Sequence, residues 1–210
     1  VCKDEASLMY MVNLGCIEIN PWHSRVKSPQ YPDWCVIDLD PGTIPFSKVI
    51  ETALVVKEVL DSMGASSWCK TSGSTGLHIY IPLRARYSYE QSRHFAELVA
   101  RLVHQQLPKT TSLERSPARR EDKIYIAYLQ TRPIQTICAP YPVRPKKGAT
   151  VSAPLHWSEV KLGLEIKQFT MKNMISRLHA EGDLFTGVLG EGIDLNFILK
   201  QLYEGHSKTI

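Results

Sequence analysis

Acidic and apolar residues alternate in the segment Val36-Ile37-Asp38-Leu39-Asp40-Pro41. Alternate side chains of a strand share a face, so Asp38 and Asp40 project together, about 7 Å apart at the backbone, while Ile37 and Leu39 point into a core. A chain built around this segment needs a sheet with one apolar face and a rim where two carboxylates meet. Like charges on such a rim repel unless a cation lies between them. Oxygen-rich sites of this kind suit Mg²⁺ or Mn²⁺, which neutralise phosphate charge in phosphoryl and nucleotidyl transfer. The other reading is that Asp40 opens an Asp-Pro-Gly turn and Asp38 is merely solvated.

The remaining pattern supplies the sheet and its cover. Apolar residues recur at helical spacing over residues 45–63, stopped by Gly64, and again over 89–107, with a shorter helical face over 7–14 ending at Gly15. Strands are expected at 16–19, 35–39, 68–71, 77–83, 123–130 and 136–139, shorter helices after Trp157, and a loose polar end over 204–210. Strands and helices intersperse without repeats, which predicts an α/β or α+β domain on a mixed, largely antiparallel sheet. With 210 residues, 43% of them hydrophobic, residues 1–210 form a single domain around one core. The start at Val1 rather than an initiator leads to the expectation of an upstream segment.

The net charge of +4 fits an anionic partner without demanding one. Five scattered cysteines with no Cys-x-x-Cys spacing read as reduced thiols. No apolar run is long enough to span a membrane and the first residues form no signal peptide, so a soluble, intracellular protein with no membrane partner is expected.

The stretch from Lys70 through Ser72, Gly73, Ser74, Thr75 and Gly76 to His78 joins two of the strands. Glycines let backbone approach a ligand, and successive N–H groups in such a turn form an anion-binding nest, with the hydroxyls and Lys70 as further donors and His78 nearby. This has the character of a triphosphate cradle, without the spacing of a Walker A loop. It also reads as a plain serine-glycine hairpin with a surface histidine. The proline-stiffened Tyr141–Gly148 segment offers Arg144 and Lys146 to phosphate, and Arg119, Arg120 and Lys123 form a second basic cluster suited to a nucleic-acid backbone; either could equally be solvated.

In this order the pieces resemble the archaeo-eukaryotic primase superfamily, and most closely the polymerase domain of bacterial DNA ligase D. The resemblance runs from Gly15-Cys16-Ile17-Glu18-Ile19-Asn20-Pro21-Trp22 and Tyr31-Pro32-Asp33-Trp34 through Asp38-Leu39-Asp40-Pro41 and Thr71-Ser72-Gly73 to Gly76-Leu77-His78. It continues in Ala139-Pro140-Tyr141, Arg144 and Pro154-Leu155-His156-Trp157-Ser158-Glu159-Val160. It implies a nucleotidyltransferase of bacterial non-homologous end joining that adds NTP or dNTP to a DNA 3′ end. Asp38 and Asp40 would hold Mn²⁺ or Mg²⁺ as catalytic carboxylates. Ser72, Gly73, Ser74, His78, Arg144 and Lys146 would bind the nucleotide. The implied partners are DNA ends (a double-strand break or primer-template), nucleoside triphosphates, an attached ligase module and an end-binding protein, in the bacterial cytoplasm at the nucleoid.

Three departures from that pattern stand out. Ala127 occupies the place of the third metal-binding aspartate in Tyr125-Ile126-Ala127-Tyr128-Leu129-Gln130, Asn20 stands where many relatives have histidine, and Thr75 where they have lysine. An alanine cannot coordinate a metal, so impaired turnover is expected, with a non-catalytic DNA-end or nucleotide-binding module as the alternative. The family domain usually carries a further N-terminal segment with basic residues for a 5′-phosphate, which is expected to lie outside this sequence. A plain nucleotide hydrolase would need a water-activating base, for which no candidate is better placed than His78.

Overall fold

The computed structural model describes residues 1–120 and 122–206, with side-chain surroundings as far as 201. The strands β1 (Trp34–Asp40), β2 (Trp68–Thr71), β3 (Leu77–Pro82), β4 (Thr111–Ser112), β5 (Ile124–Ala127) and β6 (Pro154–Leu155) form one six-stranded sheet in the order β4-β5-β1-β3-β2-β6. Every pairing is antiparallel except β4 with β5. The described helices are α1 (Glu5–Asn13), α2 (Phe46–Ser62), α3 (Tyr89–Gln106), α4 (Met174–Glu181) and α5 (Leu195–His206). The sheet is therefore mixed and largely antiparallel, as the alternation of elements predicts.

The two long helices cover one face of the sheet. Val49, Ala53, Val56 and Leu60 of α2 and Phe95, Val99 and Val103 of α3 are buried against Ile37, Leu39, Leu77, Ile79, Ile81, Ile124 and Ile126. A Ser88–Gln91 capping box starts α3 by satisfying otherwise unpaired backbone N–H groups. On the opposite face a smaller cluster of Val36, Tyr80, Ile137, Phe185 and Val188 closes part of the sheet and leaves the far end of β1 and β3 open. Removing each of these larger side chains from water contributes roughly 1.5–3 kcal/mol, so the two clusters fix the register that the polar residues inherit. Helix α1 lies outside this packing, with none of its residues buried.

Several expectations are corrected. Residues 16–19 form no strand, because their backbone makes only local bonds and one from the Ala139 N–H to the Ile19 carbonyl. Residues 136–139 contribute a single bridge, Thr136 with Trp22. The strand expected at 123–130 stops at Ala127, where the chain turns away and Leu129 and Gln130 lie in a turn. Glu204 and the residues to His206 belong to α5; residues 207–210 lie outside the described residues. All five cysteines are free thiols, and burial pushes Cys35 up to about 12 and Cys69 higher still. No described helix is long and apolar enough to cross a membrane.

The β2–β3 turn is pressed against the end of β1. A Cβ added at Gly76 would collide with the carbonyl oxygen of Leu39, which is main chain of the central strand and cannot swing away. Gly76→Ala is expected to cost about 1–3 kcal/mol, the usual range for overpacking against a fixed neighbour. Urea unfolding would show this as a lower midpoint at unchanged slope; a midpoint equal to wild type would contradict the packing.

Candidate active site

The sheet register builds the site. Asp38 is directly opposite Ala127 on β5 and His78 on β3, and His78 is opposite Lys70 on β2. Residues paired this way share a face, so Ala127, Asp38, His78 and Lys70 form one row across four strands. Asp40 lies two residues along on the same face as Asp38, opposite Tyr125. The motif's alternation is thus realised: Ile37 and Leu39 are in the core and both carboxylates face the open end.

Burial sets the electrostatics of the row. It pushes the Asp38 carboxyl up to about 7, helped by repulsion from Asp40 and opposed by Lys70, a hydrogen bond from Gln130 and Arg120. Burial lowers the Lys70 ammonium to about 7, against attraction from Cys138 and Asp38. It also holds His78 well below its ordinary value, with Lys70 and Arg144 adding to the effect. The Asp38 carboxylate keeps 19% of its side-chain surface open and lies 3.5 Å from Nε2 of His78. His78 is therefore a direct neighbour of Asp38.

The turn after β2 forms the opposite wall. Oγ of Ser72 accepts hydrogen bonds from the N–H groups of Ser74, Thr75 and Gly76, at 3.1, 3.1 and 3.0 Å. The turn's amides thus converge on one oxygen of their own chain, and Ser72 shapes the loop from within. Gly73 has φ +69°, and a Cβ there would lie 2.6 Å from Cγ of Arg144 and 2.9 Å from the Ser152 nitrogen. Only glycine fits so close an approach. Arg144 is pinned over the turn, donating from Nε to Glu18 at 2.8 Å and from Nη1 to the Ser72 carbonyl at 2.6 Å.

Between these walls lies a cavity of about 240 Å³ lined by Asp38, Asp40, Ser72, Ser74, His78 and Arg144, together with Asn20 and Thr75. Of the sequence candidates, Gly73 is packed beneath the turn and Lys146 is exposed at the tip of the 144–150 hairpin; neither lines it. Lys70 does not serve the turn at all, because strand alternation points it at His78 and Ser152.

The donor set fits part of a metal centre. Mg²⁺ commonly takes one or two protein carboxylates with the rest of its shell from water and substrate phosphate, which Asp38 and Asp40 satisfy. Ala127 adds no ligand, and among the described residues no group of three or more His, Cys, Asp or Glu side chains could hold a metal. Asp40 is also engaged, accepting from Nη1 of Arg120 at 3.0 Å and from the Gly42 N–H at 3.3 Å. The Asp-Pro-Gly turn and the paired carboxylates thus coexist in one residue. Arg120 stacks on Tyr125 at 4.0 Å, and its side chain and Ala127 line a second small cavity of about 180 Å³. The residues present fit a single ion arriving with a phosphate ligand and do not fit a fixed pair.

Sequence reasoning missed Glu18 as the anchor of Arg144, Gln130 as a donor to Asp38 and Ser152 as the acceptor of Lys70. It named Arg120, but as a nucleic-acid contact rather than the partner of Asp40.

Comparison with known proteins identifies the family and the fold. The family model described as LigD, primase-polymerase domain, matches residues 1–185. This chain belongs to that family. Among its relatives, the bifunctional non-homologous end joining protein LigD of Bacillus subtilis is 35% identical over 184 residues, 87% of this chain and 30% of the relative. The multifunctional LigD of Pseudomonas aeruginosa is 28% identical over 177 residues, 84% of this chain and 21% of the relative. This primase-polymerase chain thus spans less than a third of either. The polymerase domain of Mycobacterium tuberculosis Ligase D, solved in complex with DNA, superposes with a TM-score of 0.82 at 25% identity, over 92% of this chain and 70% of that one.

The buried charges of this site give folding a defined pH dependence. With its folded value at about 7, Asp38 binds a proton in the native state that the unfolded chain has released, between about pH 4 and 7. Its contribution therefore falls as pH rises through that window and stays unfavourable above it. Lys70, depressed to about 7, is unfavourable below that pH and is relieved as pH rises toward 10.5. In metal-free buffer, Asp38→Asn should raise stability at pH 8 by on the order of 3 kcal/mol, the gain vanishing near pH 4. Urea midpoints at both pH values check this, and a gain independent of pH would contradict it.

Proposed function

We propose that this chain is the nucleotide-binding core of a bacterial non-homologous end joining polymerase, one that presents a nucleoside triphosphate, NTP or dNTP, to a DNA 3′ end and turns over poorly. The observation that carries this reading is the convergence of two rim carboxylates and a glycine turn around one cavity, with Arg144 and His78 between them. Relatives named for non-homologous end joining, and a neighbour solved with DNA, support the biological setting. The ligase module and end-binding partner belong to the same reading, as does a place in the bacterial cytoplasm at the nucleoid.

The division of labour follows from the site. Arg144 and His78 supply donors toward phosphate oxygens, and the turn, braced by Ser72 from within, keeps its wall in place. Asp38 and Asp40 provide the negative edge for Mn²⁺ or Mg²⁺. What such an ion supplies is neutralisation of phosphate charge while the primer hydroxyl attacks the α-phosphorus and pyrophosphate leaves. Ala127 leaves nothing to fix that hydroxyl beside Asp38. A second reading, a non-catalytic DNA-end or nucleotide-binding module, is favoured by the same alanine and by the hold of Arg120 on Asp40.

Ala127→Asp separates the two. Ala127 is 3% exposed, so the new carboxylate would meet a buried setting. Without metal it would repel Asp38 and lower the melting temperature; with Mn²⁺ the loss should reverse. Mn²⁺-dependent primer extension should rise by about a hundredfold or more, the typical penalty for a misplaced nucleophile being recovered. Equal extension rates for the wild type and the variant would contradict the assignment of Ala127.

Affinity tests the other wall. Arg144→Ala should weaken triphosphate binding about tenfold, the loss growing as salt is lowered, because a charge-assisted contact contributes roughly 1.5–3 kcal/mol. Equal affinities at all salt concentrations would remove Arg144 from the cradle.

A further inference from the structure

Lys70 is fully buried, and an ammonium without water is costly unless its hydrogens are used. Its Nζ lies 3.0 Å from Nδ1 of His78 and is bonded to Oγ of Ser152, while the ring of Tyr80 stands 5.7 Å away. None of these partners is a carboxylate. The position demands a reason other than a salt bridge.

Donor and acceptor accounting supplies one. The Ser152 hydroxyl has a single hydrogen, which it gives to the Thr71 carbonyl at 2.8 Å, so toward Lys70 it offers a lone pair. In its charged form Lys70 has donors only, and at 3.0 Å the Nδ1 of His78 then accepts from it. A neutral imidazole carries one N–H, which leaves it on Nε2, the nitrogen facing Asp38 and the cavity. A backbone carbonyl thus fixes a hydroxyl, the hydroxyl fixes an ammonium, and the ammonium fixes a ring.

We infer that Lys70 is a positioning residue that locks His78 in the Nε2–H tautomer, so that the ring presents a hydrogen-bond donor to an anionic ligand in the cavity. The opposite tautomer would aim a lone pair at phosphate oxygens. Lys70 would thereby control affinity for a ligand it never touches. That the ligand is a nucleoside triphosphate rests on the function proposed above; the tautomer does not.

The test uses the full chain labelled with ¹⁵N-histidine, in which long-range ¹H–¹⁵N correlation distinguishes the two ring nitrogens of each of the seven histidines. Spectra of a His78→Gln variant identify the resonances of His78. At about pH 6, where Lys70 is charged and His78 neutral, the expected result is a single Nε2–H tautomer in the wild type, a mixture in Lys70→Met, and about tenfold weaker ATP binding by that variant. An Nδ1–H tautomer in the wild type would overturn the inference, as would an unchanged tautomer in Lys70→Met. Should Lys70→Met fail to fold, Ser152→Ala replaces it: with its acceptor gone the ammonium is free to turn, and an Nε2–H population undiminished there would equally overturn the inference. If the tautomer responds as expected but neither protein binds ATP, the role of Lys70 stands and the nucleotide reading falls.

Discussion

The pairing of β1 with a neighbour on each side governs everything at the cavity. Because Asp38 is opposite Ala127 on one flank and His78 on the other, a slip of one residue in either pairing would carry Asp38 to the helix-covered face. The register is held by apolar side chains on the far side of the same strands, Ile37 and Leu39 against Leu77, Ile79 and Ile126. Packing that never meets a ligand thus sets the geometry that a ligand would meet. Gly76, pressed on the Leu39 carbonyl, ties the turn to the end of the same strand.

Polar residues exploit that frame at a cost. Asp38 and Lys70 each resist burial, and each lessens the other's penalty across His78. Buried charges gain most when their hydrogen bonds are complete, and Lys70 places two of its three N–H donors, on Ser152 and His78. Asp40, by contrast, is half-exposed and paired with Arg120, an interaction that a competing cation could replace. The site is therefore rigid at the Lys70 end of the row and adaptable at Asp40, two residues along β1 from Asp38.

Much of this was legible from local pattern. Alternation over residues 36–41 gave the faces of β1, helical spacing gave α2 and α3 within about two residues, and the ordered motifs pointed to the family. The Lys70–His78 pairing was also readable, since a hairpin closing Thr71 on Leu77 places the next two residues opposite each other. What the pattern could not show were contacts between distant parts of the chain. Glu18 reaches Arg144 and Arg120 reaches Asp40 across long separations, and neither leaves a periodic trace. Residues 16–19 and 136–139 look like strands by composition, yet they meet through one bond, from the Ala139 N–H to the Ile19 carbonyl, and residues 136–139 bridge once more, to Trp22.

The most direct examination of the site is a crystal of this protein soaked with Mn²⁺ and a non-hydrolysable nucleoside triphosphate, read by anomalous scattering. Manganese density at Asp38 and Asp40, with the triphosphate lying between them and the 72–76 turn beside His78 and Arg144, is the expected outcome. Triphosphate density elsewhere, for instance in the separate cavity of about 530 Å³ beside Phe46 and Leu164, with none at the carboxylates, would contradict it.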